Sequence, residues 1–186
     1  MGALIKKILC ICCILSPTIT VGQNIVYEVQ KGTVAFHSVA ANELIYASSD
    51  KLKGAIDIKK NTFLFKIDIG TFSGFNNQLQ KEHFNENYME TSSFPQATYS
   101  GKIIEDIDLL KEGEYTMRAK GKLLIHGVSQ EHIIIVHLVS KNGKIIAKAD
   151  FPVLLADYNI KIPRIVSDKL SPEIKVSVNC IFLPNK

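Results

Sequence analysis

The sequence predicts an all-β protein, an antiparallel sheet of about eight to ten short strands folded on itself as a barrel or a sandwich. Three observations carry this. Apolar and polar residues alternate with a period of two through much of the chain, the pattern of strands with one buried face. Dipeptides containing Gly or Asn fall between the alternating runs, where a hairpin turn needs positive φ. The length of 186 residues, 46% hydrophobic and 22% charged, suits one globular domain.

The N-terminus comes first. Lys6 and Lys7 precede an apolar run from Ile8 to Leu15, no acidic residue occurs before Glu28, and Ser16, Thr18, Thr20 and Gly22 follow the run. A short basic segment, an apolar core and a small-residue exit describe a secretory signal peptide. The apolar core falls well short of the ~20 residues that span a bilayer as a helix. Residues 1–22 are therefore expected to be the signal, with a mature domain over 23–186. A lipid anchor would need a small residue before the modified cysteine, and Leu9, Ile11 and Cys12 stand in those places.

The strands follow in order. Val34, Phe36 and Ser38 alternate weakly, and Gly54, Ile56 and Ile58 alternate with Ala55, Asp57 and Lys59. Phe63, Phe65, Ile67 and Ile69 share one face opposite Thr62, Lys66 and Asp68. Tyr115, Met117, Ala119, Gly121 and Leu123 alternate with Thr116, Arg118, Lys120 and Lys122. Ile145, Ala147, Ala149, Phe151 and Val153 form another face, and Ile174, Val176, Val178, Cys180 and Phe182 the last. Lys31-Gly32, Lys60-Asn61, Glu112-Gly113 and Asn142-Gly143 read as the turns.

Three stretches depart from alternation. Residues 130–139 are apolar on both faces, which predicts a strand covered on both sides. From Asn76 to Tyr88 there is no β-branched residue, and Phe75, Leu79, His83 and Phe84 recur at helical spacing, so a short helix is expected. Phe94-Pro95 ends it, because the residue before a proline is pushed to extended geometry. Residues 156–172, with Pro163 and Pro172, read as a long loop or edge segment.

Composition narrows the chemistry. Loss of Lys6 and Lys7 with the signal lowers the formal charge from +4 to +2, with no sustained basic run, which excludes a nucleic-acid surface. Of the four cysteines only Cys180 lies in the mature chain, so no internal disulfide is available, and its alternating apolar context reads as a buried inert thiol. The five histidines, His37, His83, His126, His132 and His137, lack the i, i+4 spacing of a zinc protease helix, and no cysteine pair accompanies them. No metal and no other cofactor is expected. No nucleophile elbow, phosphate-binding glycine loop or paired-carboxylate signature occurs, so an enzyme is not expected. Of the nine Phe and six Tyr, several fall on the presumed inward faces or around the helix, among the small inward residues Ser38, Gly54, Ala119, Gly121, Ala147 and Ala149. That mixture fits an apolar cavity or a tightly filled taper equally well.

Three segments resemble one family. Glu82-His-Phe-Asn-Glu-Asn-Tyr-Met-Glu-Thr-Ser-Ser-Phe-Pro-Gln-Ala-Thr-Tyr-Ser-Gly-Lys-Ile103 is similar to the signature of YceI-like proteins, in which an aromatic-rich helical segment leads into an aromatic-Pro-x-Ala-Thr strand. Gly121-Lys-Leu-Leu-Ile-His-Gly-Val-Ser129 resembles the family's G-x-L-T-I-x-G-V-T strand and turn. Asp157-Tyr-Asn-Ile-Lys-Ile-Pro163, Val166-Ser-Asp-Lys-Leu170 and Ile174-Lys-Val-Ser-Val178 resemble its C-terminal pattern. Leu124 and Ser129 replace the family's usual threonines, and Val34-Ala-Phe-His-Ser38 keeps only the outline of its opening strand.

The resemblance implies an extended antiparallel lipocalin-like β-barrel of about eight strands with one short helix, around a long apolar tunnel. It implies a periplasmic or secreted carrier of a polyisoprenoid, quinone or fatty-acid derivative, and it tips the choice between cavity and filled core towards a cavity. Phe75, Leu79, Phe84, Tyr88, Met89, Phe94 and Tyr99 are the expected ligand-facing set, with Phe63, Phe65, Met117, Phe151 and Ile160 from the strands and the following loop as a second group. His83 is expected to contact a head group or, in preference, to fasten the helix. An isoprenoid or other lipid-like ligand is the expected partner, and a transient membrane contact and a homodimer are compatible with such a carrier. Two alternatives of other classes stand beside it: an exported structural or interaction module with a filled barrel, and a hydrolase-type enzyme using His83.

Overall fold

The computed structural model describes residues 26–185, so the expected signal segment lies outside the described residues. Nine strands follow in order: β1 (Val26–Val39), β2 (Leu44–Ser49), β3 (Lys53–Asp57), β4 (Thr62–Asp68), β5 (Gln96–Ile103), β6 (Gly113–Ile125), β7 (Val128–Lys141), β8 (Lys144–Leu154) and β9 (Glu173–Pro184). All neighbours pair antiparallel, and β9 returns to pair with β1, which closes the sheet as a barrel and leaves no sandwich. Val34 pairs with Ser49 in β2 and Val26 with Asp57 in β3, so both short strands lie on one register along β1. They act as one interrupted strand, and the ring is eight strands around. Closure removes the open edges that a sheet this long would otherwise expose.

The predicted faces hold wherever alternation is clear. Phe63 and Ile67, Met117 and Ala119, Ile145 and Ala147, and Cys180 and Phe182 are all buried in the barrel. Gly101 and Gly121 face each other across β5 and β6, and a Cβ on either would strike its partner's backbone. The two strands therefore approach closely there, and Phe63, opposite Gly101, supplies the side chain that the glycines lack.

Two sequence expectations are corrected. Lys31-Gly32 is not a turn. It lies inside β1, where the register with β9 shifts between Val29 and Lys31. The extra residue of this bulge moves the buried positions from odd to even numbers, from Tyr27 to Gly32 and Ser38, which makes the alternation of β1 weak in sequence. The both-sided cover expected over 130–139 is also absent. Ile134 and Leu138 are buried, whereas Ile133 and Ile135 are 57% and 55% exposed. Their neighbours across the ladder, Lys120 and Arg118, belong to the outer face.

The barrel has two differently closed ends. At one end, residues 104–112 fold inward and bury Leu109, whose carbonyl accepts from the Ser140 hydroxyl at 2.9 Å. At the other end lies the expected helix, in two parts: α1 (Gln78–His83), followed by a wider π-turn over Phe84–Tyr88. The Asn77 side chain caps α1 by accepting the Gln80 backbone N–H at 2.8 Å. Residues 155–172 complete this end. The β7–β8 ladder runs only from His137 to Lys141, and beyond it the turn Leu155–Tyr158 packs along β7. Gln130 Nε2 donates to the Asp157 carbonyl at 2.8 Å, and the Tyr158 hydroxyl meets His132 Nε2 at 2.8 Å.

Candidate functional site

The barrel interior holds an apolar cavity of about 280 Å³ to which every strand contributes, near the lower end of the ~300–1,000 Å³ common for ligand sites. Aromatic residues gather in two clusters on its wall. Towards the helix, Phe36 stacks on Phe84 at 5.3 Å between ring centres, and Phe75 and Phe72 stand beside them at 5.0 and 6.0 Å from Phe84. Deeper in the barrel, Phe63 lies 5.7 Å from Phe65 and 4.9 Å from Tyr99, and Phe65 meets Phe182 at 5.9 Å. Among these aromatic residues the wall also carries small ones, Ala97, Ala119, Ala147 and Ala149. Small side chains among aromatic ones keep the lumen open.

Of the polar groups on this wall, Tyr99 and Gln80 have partners within the protein. The Tyr99 hydroxyl donates to the Ala119 carbonyl at 2.6 Å. Gln80 Nε2 donates to Glu43 Oε1 at 2.8 Å, and its Oε1 accepts the Asn76 N–H at 3.0 Å. Burial pushes the Tyr99 phenol up to about 12 and the Cys180 thiol up to about 12. Both groups are thus neutral around pH 7, and Cys180 presents a thiol and not a nucleophilic thiolate. Such a wall selects chiefly by shape and apolar area, since nearly all of its lining is apolar.

Of the residues named from the sequence, Phe75, Phe84, Tyr88, Met89, Tyr99, Phe63, Phe65, Met117, Phe151 and Ile160 line the cavity. Leu79, His83 and Phe94 do not. Leu79 is 59% exposed and His83 is exposed beside it, because the α-helix that starts at Gln78 puts these i, i+4 residues on its solvent face. The inner face carries Gln80 and Phe84, and the π-turn keeps Tyr88 on it. The helical spacing counted from Phe75 placed the phase wrongly, since Phe75 precedes the helix. Phe94 packs outside, edge-on to His126 at 4.7 Å.

Phe36, Phe72 and Phe182 also line the cavity and were not named. Phe182 was available from the alternation of β9. Phe36 was available from the weaker alternation of Val34, Phe36 and Ser38 beyond the bulge, whereas Phe72 sits after a short turn with no periodic pattern around it.

The histidines do not assemble. His37 packs on Tyr46 at 4.9 Å, His137 meets Thr116 Oγ1 at 3.1 Å, and His132 is held by Tyr158. Among the described residues no three His, Cys, Asp or Glu side chains stand together as a metal site would require.

The YceI-like domain family matches residues 27–182 of the chain. The fold is similar to that of a polyisoprenoid binding domain from Saccharophagus degradans, described as implicated in plant cell wall breakdown. The TM-score is 0.72 at 16% identity, covering 86% of this chain and 98% of that one. BcnA of Burkholderia cenocepacia has a TM-score of 0.65 at 16% identity, covering 81% of this chain and 95% of that one. A YceI protein of Campylobacter jejuni has a TM-score of 0.54 at 17% identity, covering 75% and 84%. No curated protein is detectably similar in sequence.

Proposed function

This chain belongs to the YceI-like family, and we propose that within it the protein is an exported carrier of a long apolar or amphiphilic chain. The cargo is a polyisoprenoid, a quinone tail or a fatty-acid derivative, held in the barrel lumen. The observation that carries this reading is the apolar cavity, with two aromatic clusters on its wall, inside a closed barrel. Removing each CH₂ of such a chain from water contributes about 0.8 kcal/mol, against which the ordering of chain and protein is set. The name of the Saccharophagus domain supports a polyisoprenoid as the class to try first. Export rests on Lys6, Lys7 and the apolar run that follows them. His83, on which a hydrolase would depend, is exposed and off the cavity wall, which favours binding over catalysis.

The test is to block the lumen at its narrow wall. Ala147 is a buried lining residue in the middle of β8. In Ala147→Phe the ring occupies space that the cargo needs, at a typical overpacking cost of about 1–3 kcal/mol. Binding of geranylgeraniol, followed by displacement of a fluorescent polyene fatty acid, should fall at least tenfold while the far-ultraviolet circular dichroism stays that of the parent. Undiminished binding in a folded variant would place the cargo outside the barrel.

A further inference from the structure

A second pocket opens beside the apolar cavity, and it differs from it in chemistry. It shares Tyr88 and Ile160 with the cavity, but the rest of its wall is polar: Asn87, Glu90, His126, Asn159 and Lys161. Three chain segments meet there, the end of the π-turn, the β6–β7 hairpin and the loop after β8. Glu90, His126 and Asn159 all have positive φ, at 44°, 49° and 58°. That conformation costs a non-glycine residue roughly 1–2 kcal/mol. Asn159 caps the turn Leu155–Tyr158 in the left-handed conformation, and His126 with Gly127 makes the two-residue β6–β7 turn, so the chain path itself brings these residues to the pocket.

His126 is the centre of it. Its side chain is only 10% exposed, and the ring is wedged against Phe94. Nδ1 lies 3.0 Å from the Tyr158 carbonyl, which can only accept, so Nδ1 carries the hydrogen. In the neutral imidazole Nε2 is then a bare acceptor. This buried Nε2 has no hydrogen-bond partner among the described residues. The polar atom it faces is Glu90 Oε1 at 3.5 Å, a second acceptor when the carboxylate is ionised. With the ring neutral, these two acceptors repel each other unless a donor enters between them, and with the ring protonated they form an ion pair. A buried acceptor left unpaired costs about 1–3 kcal/mol.

We propose that this pocket seats the head group of the chain held in the barrel, and that the head is a neutral donor of an O–H or N–H hydrogen, received by His126 Nε2 and Glu90. The inference rests on the carrier reading and deepens it by naming the polar end of the cargo. A carboxylate or phosphate head has Lys161 on the same wall to meet its charge, but it brings no hydrogen for Nε2 and a further negative charge against Glu90, so the acceptor pair favours a neutral donor.

The test uses matched probes on the mature protein at about pH 8, where imidazole is ordinarily neutral: 1-hexadecanol, its methyl ether and palmitate. The alcohol should bind roughly tenfold more tightly than the ether or the carboxylate. His126→Asn, which keeps a residue that tolerates the positive φ of this turn, should abolish the advantage of the alcohol over the ether. Glu90→Gln, at a half-exposed side chain, puts an amide N–H opposite Nε2 and should shrink the advantage without disturbing the hairpin. Equal binding of alcohol and ether by the parent protein would overturn the inference while the carrier reading stands, and so would an advantage that survives both substitutions. If neither the alcohol nor the ether binds, the carrier reading falls and this inference falls with it.

Discussion

At the scale of single residues, the interior is governed by neutral polar groups kept neutral by burial. Tyr99, Tyr158 and Cys180 are each pushed up to about 12, in every case chiefly by desolvation. A group whose pKa is raised in the folded state stabilises the fold below its unfolded pKa and loses that contribution as pH rises through the folded value. Ordinary thiols and phenols ionise at about 9 and 10. Stability should therefore hold below about pH 9 and fall between there and about pH 12. Tyr99→Phe removes one ionising group and should make that fall shallower, while losing about 1 kcal/mol at neutral pH with the bond to the Ala119 carbonyl. Guanidinium midpoints measured across that range read both effects. An unchanged alkaline slope in Tyr99→Phe would contradict the assignment.

At the scale of elements, the helical cap separates what alternation reveals from what it conceals. The cavity account predicts that Phe84→Ala weakens cargo binding severalfold, because Phe84 joins Phe36, Phe72 and Phe75 in the aromatic cluster at that end. Leu79→Ala should change binding little, since Leu79 is largely exposed. Isothermal titration of the two variants with one apolar ligand decides it, and the reverse order would mean that the helix turns the other face inward. The strands β4, β6, β8 and β9 were readable because each keeps one phase from end to end. β1 was not, because one extra residue at its bulge exchanges its faces. The helix was half readable: its existence follows from composition, but its phase depends on the Asn77 cap and on the widening at Phe84. Ile133 and Ile135 misled because apolar residues on the outer face of a strand look in sequence like burial.

At the scale of the whole molecule, closure is the property that local pattern does not contain. The pairing of β1 with β9 joins residues from opposite ends of the described chain. Neither segment's alternation distinguishes that from a sandwich. Whether the lumen is empty or filled depends on how Ala97, Ala119, Ala147 and Ala149 fall among the aromatic residues, which is a matter of register around the ring. Only the resemblance of three sequence segments to one family pointed to a cavity in advance. The polar pocket was out of reach for the same reason, since Glu90, His126 and Asn159 meet only once the barrel end is assembled. The central claim concerns what occupies that lumen. The direct measurement is mass spectrometry of the organic extract of protein purified from its natural compartment, beside an extract of protein denatured and refolded without lipid. The account predicts a long-chain isoprenoid, quinone or fatty-acid derivative in near-equimolar amount in the first extract and none in the second. An empty extract, together with no uptake of added amphiphiles, would contradict it.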